Sequence, residues 1–163
     1  MTTDSIEALM RQGLQELYYA EGQFADALDT LADQTTDDAA SQAFSDHREE
    51  TEEQLRRLEQ VFEAMGEDPQ PMEDAAVKAM IDEHEQFAGE NEGDVLDRYN
   101  MELGQKVEHY EIAAYGSLAS QAEKIGHDEA ADHLTETLRE EEAALETITE
   151  ASEQFDEQMI AGD

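Results

Sequence analysis

Apolar residues recur at steps of three and four along four long segments of this chain, and a glutamate interrupts two of these stripes. Such spacing is typical of amphipathic α-helices that bury one face. Glu21 follows Leu17 by about one helical turn, and Glu111 follows Val107 by one turn. An unpaired carboxylate is costly in an apolar interior. The pattern therefore predicts a helical bundle whose interior holds something that compensates buried negative charge.

Capping and helix-breaking residues divide the first half of the chain. Polar residues before residue 6 can cap a first helix, and Asp37 or Asp38 can cap a second. Gly66 and Pro69 end that second helix. A shorter amphipathic helix follows over about residues 72–88, where apolar residues return at helical intervals.

The second half of the chain repeats this arrangement of two long helices. One is predicted from Asp94 to Ile125, where Gly126 ends it, and the other begins near Asp128 and frays after Phe155. Short loops within each half predict two αα-hairpins, joined by a crossover that carries the short fifth helix. We therefore expect an all-α four-helix bundle, in one domain over residues 1–163, with the bundle from about residue 4 to about 157.

Acidic residues repeat at a fixed distance in the sequence. Glu21 and Glu111 are 90 residues apart, and Glu50 and Glu140 share this separation. The shared offset indicates a bundle with pseudo-two-fold symmetry. On the last helix Glu140 matches Glu50 by the offset, whereas Glu141 lies closer to the centre of the apolar seam, so the pattern leaves the choice between them open.

Carboxylates and one imidazole form a candidate metal site. His47 and Glu50 are three residues apart on the second helix, as are Glu108 and Glu111 on the third long helix, so each pair can face the same way. Several carboxylates around one cavity repel each other in a low dielectric, and two divalent cations reverse that effect. Oxygen ligands with one imidazole suit iron or manganese better than zinc or copper.

Each candidate residue also has a purely structural explanation. A glutamate-rich chain places some carboxylates on apolar stripes by accident, and a lone His47 is typical of a helix surface. His109 faces about 100° away from its neighbour Glu108, which favours a structural role. Three tyrosines lie within a turn of the candidate ligands and are interpreted as core packing; they are Tyr18, Tyr110 and Tyr115.

The charge of the chain is extreme and narrows the possible partners. Its 163 residues include 44 Asp and Glu against 9 Lys and Arg, for a net charge of −35. This composition predicts a halophilic protein adapted to molar salt, and a surface that binds a partner is the alternative. No basic stripe is available for nucleic acid, and the absence of cysteine excludes thiolate metal sites. With no apolar membrane-length run and no signal peptide, we expect a soluble, cytoplasmic protein.

Five stretches of the sequence resemble the YciE/YciF-type ferritin-like family, over about residues 6–151. The most specific of them is EHYEIAAYG at residues 108–116. The resemblance implies a rubrerythrin-like bundle with an added short helix, a homodimer, and a dinuclear metal site that holds iron in preference to manganese. Carried over by position, the metal-site residues are Glu21, His47, Glu50, Glu108, Glu111 and Glu140.

The resemblance also implies a role in stress responses, with two readings of the chemistry. The first is a di-iron or di-manganese oxidoreductase of the ferroxidase or peroxide-scavenging type. The alternative is a non-catalytic metal-binding or structural protein that acts through its dimer surface. Ferritins usually carry Glu-x-x-His on the second and fourth helices, whereas this chain has His47-x-x-Glu50 and Thr137-x-x-Glu140. The missing imidazole favours the alternative, and whether the protein is an enzyme stays open.

Overall fold

The structure of the protein is a computed structural model that describes residues 3–162. Five α-helices account for the regular secondary structure of this range, and the segments that connect them are short. The helices are α1 Ile6–Gln34, α2 Asp38–Ala64, α3 Ala75–Ala88, α4 Asp94–Ile125 and α5 Asp128–Gly162. The prediction of an all-α fold is confirmed. Among residues 3–162, none of the helices combines the length and the apolar composition needed to cross a bilayer.

The four long helices form a bundle in which every neighbouring pair is antiparallel. α1 packs against α2 and α4, and α5 packs against the same two helices, so α1 and α5 lie on one diagonal. Gly13 near the start of α1 lies against Leu118 near the end of α4, while Thr35 after α1 contacts Asn100 near the start of α4. The shorter α3 lies outside the bundle, against α4 and α1. The arrangement is the pair of αα-hairpins expected from the sequence.

Local capping chemistry sets most of the helix ends. The side chains of Ser5 and Asp37 accept hydrogen bonds from backbone N–H groups in the first turns of α1 and α2. Asp74 does the same for α3, so this helix begins at Ala75 instead of the predicted position near 72. Gly126 ends α4 in the left-handed conformation, with φ of 86°.

The last helix extends further than predicted. α5 was expected to fray after Phe155, but it is helical to Gly162. Two contacts explain the difference: Phe155 packs against the bundle core, and Arg98 of α4 forms an ion pair with Asp156 at 2.7 Å. The prediction relied on the general tendency of chain ends to fray and did not include an ion pair between distant segments.

Two apolar clusters fill the bundle, one towards each end. At the end with the α1–α2 turn the cluster surrounds Phe24, Leu28, Phe44 and Met101. At the other end it surrounds Leu14, Leu58, Phe62 and Leu134. Between the two clusters the inward positions are polar. We call this stretch the polar layer, and its buried members are Glu21, Thr51, Gln54, Glu108, Glu111, Thr137 and Glu141.

Candidate metal centre

Each of the four long helices contributes to the polar layer, and three contribute buried carboxylates. The helical period carries these side chains inward together with the apolar residues a turn away, as it does for Glu21 between Leu17 and Phe24 on α1. Glu108 and Glu111 point inward from α4, and Glu141 points inward from α5. All four carboxylates are buried.

The tightest grouping in the layer contains one imidazole and three carboxylates. His47, Glu108, Glu111 and Glu141 each offer a ligand atom, and these atoms all lie within 4.8 Å of one another. We call these four residues the metal cluster. His47 Nε2 lies 2.8 Å from Glu108 Oε1, but the pair is not aligned as a hydrogen bond. Such crowding of acceptor atoms is the arrangement that a cation requires.

Glu21 adjoins this cluster from α1. Its Oε1 accepts a hydrogen bond from the hydroxyl of Tyr115, a buried residue of α4. Burial raises the pKa of Glu21 to about 7, although the hydrogen bonds that it accepts from Tyr115 and Glu111 act in the opposite direction. The Tyr115 hydroxyl therefore favours the ionised form of Glu21, which is the form that binds metal.

The other buried acids are shifted further from their ordinary range. Burial raises the pKa of Glu111 well above its usual value, and the charges of Glu21 and Glu141 add to the effect. Burial and the neighbouring Glu108 raise the pKa of Glu141 to about 11. Burial alone would lower the pKa of His47, but Glu108 and Glu50 outweigh it and raise that pKa to about 10. The raised pKa values mean that these buried carboxylates are stable only if some of them are protonated or if cations bind among them.

Unpartnered atoms test whether a metal fits the site. Five buried carboxylate oxygens lack a hydrogen-bond partner within the described chain: Oε2 of Glu21, Glu108 and Glu111, and both oxygens of Glu141. His47 Nε2 and Gln54 Oε1 lack one as well. Buried polar atoms are nearly always satisfied, so a group of seven in one layer calls for a missing binding partner. Oxygen and imidazole donors at this density fit a divalent transition metal.

Three of the predicted site residues lie outside the metal cluster: Glu21 adjoins it, and Glu50 and Glu140 lie further from it. Glu50 is 44% exposed and meets the cluster only through His47, whose Nδ1 lies 3.3 Å from its Oε2. Glu140 is turned away from the buried acids and pairs with Arg57, at 2.7 Å and 3.0 Å. Of the two alternatives that the sequence left open, Glu141 lies in the metal cluster and Glu140 is paired with a guanidinium; which of them binds metal stays a prediction.

Arg57 lies on α2, as His47 does, and connects the polar layer to α5. It donates to Thr137 Oγ1 at 2.8 Å as well as to Glu140. Gln54 Nε2 donates to the same Glu140 at 3.2 Å. The pKa of Arg57 is raised, chiefly by the hydrogen bond to Glu140. This network seals one side of the layer with a fixed cation.

A groove between α2 and α5 leads from the surface to the metal cluster. Its volume is about 1510 Å³, and both His47 and Glu108 line it. Gly104 of α4 lies at its floor, where a side chain would meet Ile148 at 3.3 Å. The absence of a side chain at Gly104 allows α5 to approach α4 closely beneath the groove.

Comparison with known proteins places the chain in a family. Residues 5–161 match the family described as "Domain of unknown function (DUF892)". The chain belongs to the DUF892 family.

Two relatives share most of the length of this DUF892 chain. Protein YciF from Escherichia coli is 39% identical over 152 residues, covering 92% of both chains. The crystal structure of that protein, described as a stress protein, matches with a TM-score of 0.90 and covers 94% of this chain and 98% of the other. YcfI from Rhodopseudomonas palustris is 40% identical, with a TM-score of 0.87 over 90% of this chain and 94% of the other. The family resemblance seen in the sequence is confirmed.

A more distant structure shows how widely the DUF892 fold is shared. Symerythrin from Cyanophora paradoxa is 14% identical, with a TM-score of 0.67 over 94% of this chain and 87% of the other. At that identity the likeness concerns the fold alone, and it supports the assignment to a ferritin-like helical bundle.

The 90-residue offset describes only part of this DUF892 site. Glu21 and Glu111 are both buried and adjacent, as a pseudo-two-fold arrangement requires. The offset maps His47 onto Thr137, however, so the imidazole on α2 has no counterpart on α5. The polar layer is therefore asymmetric: α2 contributes His47, whereas α5 has Thr137 at the matching position, which accepts a hydrogen bond from Arg57.

Sequence reasoning missed the roles of three residues. Tyr115 was interpreted as core packing, but its hydroxyl contacts Glu21. Gln54 and Arg57 were not considered, although both lie three or four residues from inward positions of α2. The role of Arg57 could have been suspected from the sequence, because it is one of only 9 basic residues and lies close to the apolar stripe of its helix.

Proposed function

We propose that the polar layer binds two divalent transition-metal ions, iron in preference to manganese. The observation that carries the proposal is the set of five unpartnered, buried carboxylate oxygens around one imidazole. Glu21, Glu108, Glu111 and Glu141 bring four negative charges when ionised, and two divalent cations balance them. His47 would be the neutral ligand, and Glu111 would act as a charged ligand next to both Glu21 and the rest of the metal cluster.

We further propose that this protein is a stress-response oxidoreductase of the ferroxidase or peroxide-scavenging type. A pair of redox-active ions would supply electron transfer to oxygen or peroxide at this site. The chain would position that chemistry: Tyr115 orients Glu21 through its hydroxyl, and the apolar clusters on both sides limit access of water. The name of the Escherichia coli relative, a stress protein, supports the biological context.

One structural observation favours a second candidate function. The counterpart of His47 on α5 is Thr137, and Arg57 donates to it, so a fixed cation lies where ferritin-like proteins usually have a second imidazole. A non-catalytic protein that uses metal for stability, or acts through its dimer surface, would need no more than the single imidazole. Redox turnover distinguishes the two functions.

Metal content and peroxide consumption test the proposal directly. Protein freed of metal with a chelator is loaded anaerobically with Fe(II) or Mn(II), desalted, and assayed for bound metal by elemental analysis. We expect two ions per chain, and Glu111→Gln should bind fewer, because it removes a charged side chain that is next to both Glu21 and the rest of the metal cluster. Glu85→Gln on the exposed face of α3 is the matched control. Retention of fewer than two ions by the wild-type protein contradicts the dinuclear site.

Peroxide consumption by the loaded protein then separates the two functions. Turnover that depends on bound iron and is lost in Glu111→Gln supports the oxidoreductase. Two bound ions without turnover support the non-catalytic alternative. It stays a prediction that the protein is a single domain, a homodimer and cytoplasmic. Light scattering on the metal-loaded protein measures whether it is a dimer.

A further inference from the structure

The geometry points to the groove between α2 and α5 as the route by which a divalent cation reaches the metal cluster, with Glu50 as the carboxylate that binds it first. This inference rests on the proposed function, since it concerns access to the same site. It adds a role for Glu50, which lies outside the cluster, and it assigns a use to the groove.

Three side chains form a graded path from the groove into the bundle. The exposed fraction of the side chain falls from 44% at Glu50 to 15% at His47 and 4% at Glu108. The two ring nitrogens of His47 face the two carboxylates, with Nδ1 3.3 Å from Glu50 and Nε2 2.8 Å from Glu108. An ion bound at Glu50 is therefore one side chain away from the buried ligands.

The floor of the groove provides the independent observation. Glu108 lines the groove, is buried, and has an Oε2 without a hydrogen-bond partner in the described chain. The exposed carboxylates on the groove walls are weaker support for a cation route, because acidic residues are abundant over the whole surface of this protein. An unpartnered carboxylate oxygen at the inner end of a water-filled groove attracts a cation inward.

Size favours this side of the bundle, and so does charge, because nine acidic side chains line the groove against three arginines. A divalent ion with six waters occupies roughly 200 Å³, taking about 30 Å³ for each water, and the groove volume is about 1510 Å³. Further along the same two helices, Arg57 would repel an approaching cation. From the α1 side, Tyr115 is buried against Glu21 and leaves no direct path to that carboxylate.

Cobalt uptake measured by stopped-flow absorbance tests the route. Metal-free protein is mixed anaerobically with Co(II), and the visible band of protein-bound cobalt is followed with time. We expect Glu50→Gln to load roughly three- to tenfold more slowly than wild type, because the first attracting charge is gone. Glu85→Gln on α3 removes the same charge far from the groove and should load at the wild-type rate.

A second variant obstructs the groove without changing charge. Ala143 is exposed on the groove wall, so Ala143→Trp narrows the passage at a position that does not pack in the core. It should slow both cobalt uptake and chelator-driven release by a similar factor, with the same amount bound at the end. A change in the amount bound without a change in rate would contradict a role in access.

The outcomes separate this inference from the proposed function. Wild-type uptake rates in both Glu50→Gln and Ala143→Trp, with cobalt bound, overturn the route and leave the metal site standing. Equal slowing in Glu50→Gln and Glu85→Gln shows a general effect of surface charge and overturns the role of Glu50. Absence of bound cobalt in every protein, wild type included, overturns both.

Discussion

Glu140 and Glu141 are adjacent on α5, yet one is neutralised by an ion pair and the other has no partner. Glu140 accepts two hydrogen bonds from Arg57, and both carboxylate oxygens of Glu141 are buried without a hydrogen bond in the described chain. Adjacent helical residues point about 100° apart, which is enough to direct one towards the guanidinium and the other into the metal cluster.

This contrast predicts opposite effects of two neighbouring substitutions. Glu141→Gln should abolish or strongly weaken Mn(II) binding, because it removes a charged ligand from the metal cluster. Glu140→Gln should leave Mn(II) binding largely intact and lower the free energy of unfolding by about 1–3 kcal/mol, because Arg57 loses its charged partner. Equilibrium dialysis and chemical denaturation measure the two quantities. Equal loss of metal in both variants would contradict the assignment of Glu141.

A second prediction concerns the stability of the metal-free protein as a function of pH. The pKa of Glu21 rises from its ordinary 4.5 to about 7 in the folded state, so its protonated form is favoured by folding. Its contribution to stability is complete below pH 4.5 and is lost as the pH rises through 7. The raised pKa values of Glu111, Glu141 and His47 act in the same direction.

Denaturant unfolding with a chelator present, between about pH 5 and 8, measures this effect. We expect the free energy of unfolding to fall by an amount on the order of a few kcal/mol across that range. Glu21→Gln should flatten the profile, since an amide does not titrate. A metal-free wild-type protein that becomes more stable over this range would show that these acids are not buried.

Tyr115→Phe gives a third prediction, because the Tyr115 hydrogen bond lowers the pKa of Glu21. Without the hydroxyl, the pKa of Glu21 in the folded state should rise, so the pH-dependent loss of stability should extend to higher pH. Unfolding at neutral pH should become easier by about 1 kcal/mol. Tyr110→Phe is the matched control, because that hydroxyl donates to Asp74 at the start of α3. Identical pH profiles for the two variants would argue against the Tyr115–Glu21 contact.

A fourth prediction follows from the net charge of −35. The melting temperature should rise with KCl over the molar range, because salt at about 1 M shortens the screening length to about 3 Å and suppresses repulsion between carboxylates. Salt also weakens exposed ion pairs such as Lys78–Asp82, but such pairs contribute little to stability. Calorimetry in increasing KCl tests the balance, and a flat or falling melting temperature would contradict the halophilic interpretation.

Sequence alone predicted the architecture well, because helical periodicity and capping residues are local signals. The bounds of α1, α2 and α4 follow from caps and glycines near the predicted positions. The buried carboxylates Glu21 and Glu111 were also recognisable, since an acid within an apolar stripe is conspicuous. These features depend on residues within a turn or two of each other.

The remaining features depend on contacts between distant segments. Glu141 and Glu140 could be separated only by locating Arg57, which lies 83 residues from Glu140 on another helix. The extension of α5 to Gly162 likewise depends on Arg98 in α4. The sequence showed that His47 has no imidazole counterpart at Thr137, but it did not show that Arg57 donates a hydrogen bond to Thr137.

The polar layer draws on both αα-hairpins, and only the crossover between α2 and α4 connects those hairpins covalently. Glu21 and His47 belong to the first hairpin, while Glu108, Glu111 and Glu141 belong to the second. A cation shared among them would act as a removable crosslink between the two halves of the molecule. Removing that cation would leave the two apolar clusters as the main contacts between the hairpins, and unfolding of the molecule would become easier.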